Sequence, residues 1–147
     1  MSGLGAAERP ARAACVYQTA RVGRPVKIEQ REPTVMAMLE CYEPSLVAWR
    51  ILTRVADAFM TIDESDAIDV MKRLANPVAG DPPIVAGESG GVGLAGLMRI
   101  ARNEDVRATI GLSGNSRVFI VNTEGATDRE LYARLTGHAP EPVGKVA

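Results

Sequence analysis

The sequence predicts an α/β fold with at least part of a parallel sheet. Short apolar runs rich in β-branched residues recur at residues 58–62, 84–86 and 117–122. Between them lie stretches whose apolar residues are spaced three and four apart, and cap and turn residues mark the junctions. Strand and helix signals therefore alternate along the chain, the pattern of a sheet whose strands are joined by helical crossovers.

In chain order, residues 1–10 and 138–147 are rich in small residues and proline and are expected as loose tails around a body at residues 11–137. Residues 11–21 are good helix formers, with Gly23 placed to end the helix and Pro25 just beyond. Residues 26–28 read as a short extended piece. Ser45 is placed to cap a helix whose Leu46, Val47, Trp49, Ile51 and Leu52 form an apolar stripe. The run at 58–62 leads into Asp63, a cap, with Glu64 and Asp66 suited to the positive end of a helix dipole. Ile68, Val70, Met71 and Leu74 give that helix its buried stripe, and Asn76-Pro77 stops it. After a turn at 80–83 and a buried strand at 84–86, a glycine-rich segment at 87–93 opens a helix over about 94–102. Residues 117–122 are the clearest strand. Residues 123–127 form a loop, and Thr127 caps a last helix over 128–135 that Gly137 closes. Trp49 and the methionines are expected in the core, and Asp63, Glu64, Asp66 and Asp69 on a solvated helix face.

Composition narrows the function. A chain of 147 residues fits one domain with a real core. Its 17 basic and 18 acidic residues nearly balance without a basic cluster, and 4% of residues are aromatic, so neither a phosphate-backbone nor a base-stacking partner is expected. No apolar run approaches a membrane span, and the first ten residues lack the apolar stretch of a secretory leader, which leads to an expected cytoplasmic location. Two cysteines and one histidine fall short of the usual zinc ligand set, so no metal is expected. Cys15 and Cys41 can form one disulfide, but two small buried thiols are the expected state in such a chain.

The densest chemical signal is the run of five glycines between Gly87 and Gly96. Glycine in a helix costs about 1 kcal/mol relative to alanine, so such a run belongs where backbone or ligand approaches closer than a Cβ permits. Two readings stand side by side: close packing of the turn and helix on neighbouring structure, or a turn that offers N–H groups to an electron-rich ligand. Gly91-x-Gly93-x-x-Gly96 also matches a dinucleotide-binding turn, but the acidic residue expected about twenty positions later at the end of a strand is missing. The loop from Thr123 to Asp128 follows the carboxyl end of a predicted strand, where open α/β sheets bind ligands, but its simpler reading is a helix cap. The segment Cys41-Tyr42-Glu43-Pro44-Ser45 holds nucleophiles without a nearby histidine to activate them, which argues against a hydrolase.

Several segments, in order and in register, resemble a known family: Cys15-Val16-Tyr17-Gln18-Thr19-Ala20, Leu39-Glu40-Cys41-Tyr42-Glu43-Pro44-Ser45, Gly87-Glu88-Ser89-Gly90-Gly91-Val92-Gly93, and Asn122-Thr123-Glu124-Gly125-Ala126-Thr127-Asp128. They are similar to the C-terminal portion of the diaminopropionate ammonia-lyases, in the tryptophan-synthase-β-like, threonine-dehydratase-like class of pyridoxal-phosphate enzymes (fold type II). The resemblance implies a partial three-layer αβα arrangement with a short, mostly parallel sheet. It implies α,β-elimination of 2,3-diaminopropionate to pyruvate and ammonia, with pyridoxal 5′-phosphate as cofactor in the complete enzyme. In that class a serine in a turn of this kind meets the cofactor's pyridine nitrogen. Ser89 and Gly90 occupy that place here, and Thr123 stands in the second turn near the ring edge. The Schiff-base lysine and the phosphate loop lie upstream of the matched region, and Lys27, Lys72 and Lys145 do not stand in a comparable setting. The resemblance thus implies a C-terminal piece that is inactive alone and assigns it no catalytic residue of its own. As partners it implies an amino-acid substrate in the complete enzyme, and either a homodimer or a separately encoded N-terminal half.

Overall fold

In a computed structural model the described residues are 13–30, 32–78 and 80–140. They fall into two compact units, one within Met1–Thr34 and Leu39–Asp63 and the other within Val35–Met38 and Glu64–Ala147. The predicted tails at 1–10 and 141–147 lie outside the described residues.

The first unit carries helix α1 (Cys15–Val22) and helix α2 (Leu46–Val55). α1 buries Cys15 and Thr19 and ends on Gly23 at φ 78°, a left-handed conformation that costs glycine nothing. The Thr19 hydroxyl accepts the Val26 N–H at 3.0 Å, which turns the chain after the helix. Ile28 donates its N–H to the Tyr42 carbonyl at 2.8 Å, so the extended piece at 26–28 has a single main-chain partner rather than a ladder. Ser45 caps α2 as its sequence predicts, accepting the Ala48 N–H at 3.3 Å. The stripe of α2 is not a buried one: Leu46, Val47, Ile51 and Val55 are exposed, and the helix buries no residue. Trp49 is half-buried and leans on Phe59 with ring centroids 6.1 Å apart.

The second unit is organised by helix α3 (Glu64–Ala75), which packs against helix α4 (Val92–Ala101) and helix α6 (Arg129–Thr136). Ala67, Val70 and Met71 of α3 are buried, as are Ala95 of α4 and Tyr132 of α6, and these side chains are the core. Met36 and Met71 are buried as expected of methionines, whereas Met38 and Met60 are exposed. The acids of α3 are not a purely solvated face. Glu64 accepts the Val35 N–H at 3.2 Å, and Asp66 takes the Arg99 guanidinium at 2.6 Å, tying α3 to α4. α3 stops where Asn76 turns back to the Lys72 carbonyl with both its main-chain N–H and its side-chain amide.

A short helix α5 (Glu104–Thr109), absent from the sequence-based expectation, follows α4. Its signals are local: Asn103 accepts the Val106 N–H at 3.0 Å, and Glu104 and Asp105 supply the first turn. The cap of α6 is Asp128, which accepts the Leu131 N–H at 2.8 Å, and not Thr127, so the helix begins one residue later than expected. Gly137 closes it at φ 80°. Beyond it, His138 Nε2 meets Asn76 Oδ1 at 2.6 Å and Arg129 donates to the Pro140 carbonyl at 2.9 Å.

The main correction concerns the strands. Among the described residues none of the segments 58–62, 84–86 and 117–122 forms a β-ladder. A ladder requires successive main-chain bonds between neighbours. The segments around 85 and 122 share one such bond, from Gly87 N–H to the Glu124 carbonyl. The Ile84 N–H goes instead to the Leu74 carbonyl, and the Val85 carbonyl is taken by the Asn122 side-chain amide at 3.0 Å. Val118 and Val121 remain exposed, and Phe119 is 90% exposed. No described helix is long and apolar enough to cross a membrane.

Two outcomes follow from this packing. The chain should enhance the fluorescence of an apolar dye such as anilinonaphthalene sulfonate; Phe119→Ser should reduce that signal while changing unfolding free energy by no more than about 0.5 kcal/mol. The second concerns the free cysteines: Cys15 is buried and Cys41 half-buried. Burial, reinforced by the neighbouring Cys41 thiol, pushes the Cys15 thiol up from 9.0 to about 11. Unfolded, that thiol ionises near its ordinary value, so its contribution to stability is intact below pH 9 and is lost as pH rises towards 11. Denaturation midpoints across that window should fall in the parent chain, and the Cys15→Ala variant should lack that component of the slope.

Candidate functional site

The site is built from two turns of the second unit that close on one another. After Ile84 the chain enters a tight turn in which Gly90 and Gly91 both donate their N–H groups to the Gly87 carbonyl, at 3.1 and 3.4 Å, and α4 begins at once. The second turn follows residue 121. Asn122 reaches across with its side-chain amide to the Val85 carbonyl and with its Oδ1 accepts the Glu124 N–H at 3.4 Å, while Thr127 donates its N–H to the Gly125 carbonyl at 2.9 Å. Glu124 joins the two: its main-chain carbonyl accepts the Gly87 N–H, and its carboxylate Oε2 accepts the Ser89 N–H, each at 2.9 Å.

Side-chain-free positions make this approach possible. A Cβ on Gly87 would run into the Gly125 carbonyl oxygen and come within 2.8 Å of the Glu124 carboxyl carbon. One on Gly90 would strike Asn122 Oδ1 and the Glu124 carbonyl oxygen. On Gly91 it would stand 2.7 Å from Val70 Cγ1, and on Gly93 2.8 Å from Ile120 Cγ2. The packing reading of the glycine run is thus the one these four positions obey. Protein atoms fill the space beside Gly91 and Gly93, which removes the ground for a dinucleotide turn there.

Within this closed turn two polar groups are left over. Ser89 is 2% exposed and its hydroxyl has no hydrogen-bond partner among the described residues; Glu88 is 7% exposed and its Oε1 is likewise unpartnered. Leaving such a group buried and unsatisfied costs about 1–3 kcal/mol, so adjacent orphans mark a turn whose polar groups call for a further partner. A hydroxyl can donate to or accept from a ring nitrogen, and the residues present therefore fit a nitrogen heterocycle such as the pyridine of pyridoxal phosphate.

Of the residues singled out by sequence, Ser89 and Gly90 lie in the buried turn and Thr123 is exposed in the second turn, one position before Glu124. The structure brings the two turns together. Sequence reasoning missed the roles of Asn122 and Glu124, whose partners lie 37 and 35 positions away and leave no local signal. The Cys41–Ser45 segment forms its own local contacts, with Cys41 Sγ donating to the Glu43 carbonyl at 3.1 Å. No group of His, Cys, Asp and Glu suited to a metal ion exists among the described residues.

Comparison with known proteins gives a consistent picture. A family model for pyridoxal-phosphate dependent enzymes matches residues 5–124. Diaminopropionate ammonia-lyase of Escherichia coli strain K12 is 34% identical over 129 residues, which cover 86% of this chain and 32% of that protein. The Salmonella typhimurium enzyme is 32% identical over 129 residues, covering 84% and 32%. The crystal structure of the E. coli enzyme in complex with an aminoacrylate–pyridoxal-phosphate azomethine intermediate matches with a TM-score of 0.73 at 32% identity, over 84% of this chain and 32% of that one. A second crystal structure, of the selenomethionine-containing holo form, matches with a TM-score of 0.74 over 89% of this chain. These neighbours have fold type II, and the chain spans about a third of the length of the curated relatives it matches.

The turn geometry makes Gly90→Ala a sensitive probe, because the Glu124 backbone as well as the Asn122 side chain would have to give way. The substitution should lower unfolding free energy by about 1–3 kcal/mol, and hydrogen–deuterium exchange should show the Gly87 and Ser89 amides losing protection.

Proposed function

Because the chain belongs to the family of pyridoxal-phosphate-dependent enzymes, we propose that it forms the part of a diaminopropionate ammonia-lyase-type site that faces the cofactor ring. The reaction would be α,β-elimination of 2,3-diaminopropionate to pyruvate and ammonia. The observation that carries this reading is the Ser89 hydroxyl, buried and unpartnered in a turn held by Glu124.

In this reading Ser89 meets the pyridine nitrogen, Gly90 beside it lets its turn close on Asn122 and Glu124, and Thr123 offers a second hydroxyl from the neighbouring turn. When bound, pyridoxal phosphate supplies an electron sink for the pair released as the substrate's α C–H bond breaks. Ser89 tunes that sink. A hydroxyl is neutral and serves either as donor or acceptor, so unlike a carboxylate it does not enforce a protonated ring nitrogen. A moderated sink favours prompt loss of the β-amino group over prolonged storage of charge at the α-carbon. Burial of Ser89 also excludes water from that edge and strengthens the contact.

The covalent anchor comes from elsewhere in the complete enzyme. Lys27 pairs with Glu43 at 3.5 Å, Lys72 lies on α3, and Lys145 is outside the described residues. The proposal therefore assigns no catalytic residue to this chain and expects no elimination from it alone. A lysine-bearing N-terminal half would complete the site, in the cytoplasm; a homodimer, which repeats the same three lysines, would add assembly but not the anchor.

A chimera tests the reading directly: this chain put in place of the matching third of the E. coli enzyme. It should release pyruvate from 2,3-diaminopropionate, and its Ser89→Ala form should lose kcat more than it gains in KM. A chimera that folds and binds pyridoxal phosphate yet releases no pyruvate would overturn the assignment.

A further inference from the structure

We propose that Glu124 is a positioning residue for the Ser89 hydroxyl, an inference that rests on the reading of Ser89 as the ring contact. Three observations converge on it. The Glu124 carboxylate accepts the Ser89 N–H at 2.9 Å, and its main-chain carbonyl accepts the Gly87 N–H at the same distance. Its side-chain carbons lie so close to Gly87 that a Cβ there would stand 2.8 and 2.9 Å from them. One residue thus grips both ends of the three-residue stretch from Gly87 to Ser89, through main chain, carboxylate and packing.

The consequence for Ser89 is geometric. With its N–H held by a charged acceptor, a stronger bond than a neutral one, the direction of its Cα–Cβ bond is set and the hydroxyl keeps a single rotation. Serine hydroxyls otherwise tend to bond to nearby main-chain groups. The hydroxyl here makes no such bond, although it is buried. Glu124 holds the main chain that carries this hydroxyl, so part of the ordering cost is met before a ligand arrives.

The test uses the full chain and 4-deoxypyridoxine 5′-phosphate, a cofactor analogue that lacks the aldehyde and so requires no lysine. Nuclear magnetic resonance titration should move the Ser89 and Thr123 amide signals. Glu124→Ala should weaken probe binding about tenfold and expose the Ser89 amide to exchange, and Glu124→Gln, which retains an acceptor oxygen, should recover most of both. Ser89→Ala should weaken binding as well, and Ser89→Ala combined with Glu124→Ala should be no weaker than Ser89→Ala alone, because Glu124 acts through that hydroxyl. Additive losses, or wild-type affinity in Glu124→Ala, would overturn the positioning role while leaving the Ser89 reading intact. A Ser89 signal that ignores the probe both in this chain and in the chimera, which adds the rest of the site, overturns that reading itself, and the positioning role with it. If Glu124→Ala fails to fold, the same cycle run with Glu124→Met, which keeps the side-chain bulk but has no acceptor oxygen, decides the matter, additivity again counting against the proposal.

Discussion

The second unit depends on a close approach between two backbones. The turn that starts α4 presses on the turn after residue 121 so tightly that Gly87 and Gly90 have no room for a side chain. The bonds that hold the contact are main-chain or main-chain to side-chain, from Gly87 and Ser89 to Glu124 and from Asn122 to Val85. Such a contact fixes backbone positions rather than rotamers, and backbone positions decide where the Ser89 hydroxyl points. The α3 core adds a second restraint, because Val70 meets Gly91 at the first turn of α4. The candidate site is therefore a by-product of packing: the glycines that look like a ligand cradle in the sequence are there to let protein meet protein, and what we propose for a ligand is the hydroxyl left unpartnered between them.

Most helices were legible from the chemistry of their ends. Ser45, Gly23 and Gly137 mark boundaries that the structure keeps, and each acts through a local hydrogen bond or a left-handed turn. The error at α6 was one position, because Thr127 and Asp128 are both competent caps and the carboxylate took the role. α5 was readable from Asn103-Glu104-Asp105 but is only six residues long, too short for an apolar period to announce it. Exposure of the α2 stripe was not legible at all, since periodicity identifies a face without identifying what covers it.

Strands were misread for a related reason. Residues 117–122 have the composition of a strand, yet a strand exists only by virtue of a neighbour, and the nearby groups that might have paired with it bond elsewhere. At the site the sequence pointed to Ser89 and Gly90, and the structure finds them buried in one turn. It gave no hint of Glu124 as their holder, because that relation spans 35 positions and depends on the turn being formed.

That span has a consequence for how the chain is made. Synthesis delivers the glycine turn first, and α4 and α5 follow it. The turn stays unlatched until Glu124 emerges, so its final shape is a late event in biogenesis. Loss of the last few dozen codons, by premature termination, would leave most helices able to form and the serine turn without its latch.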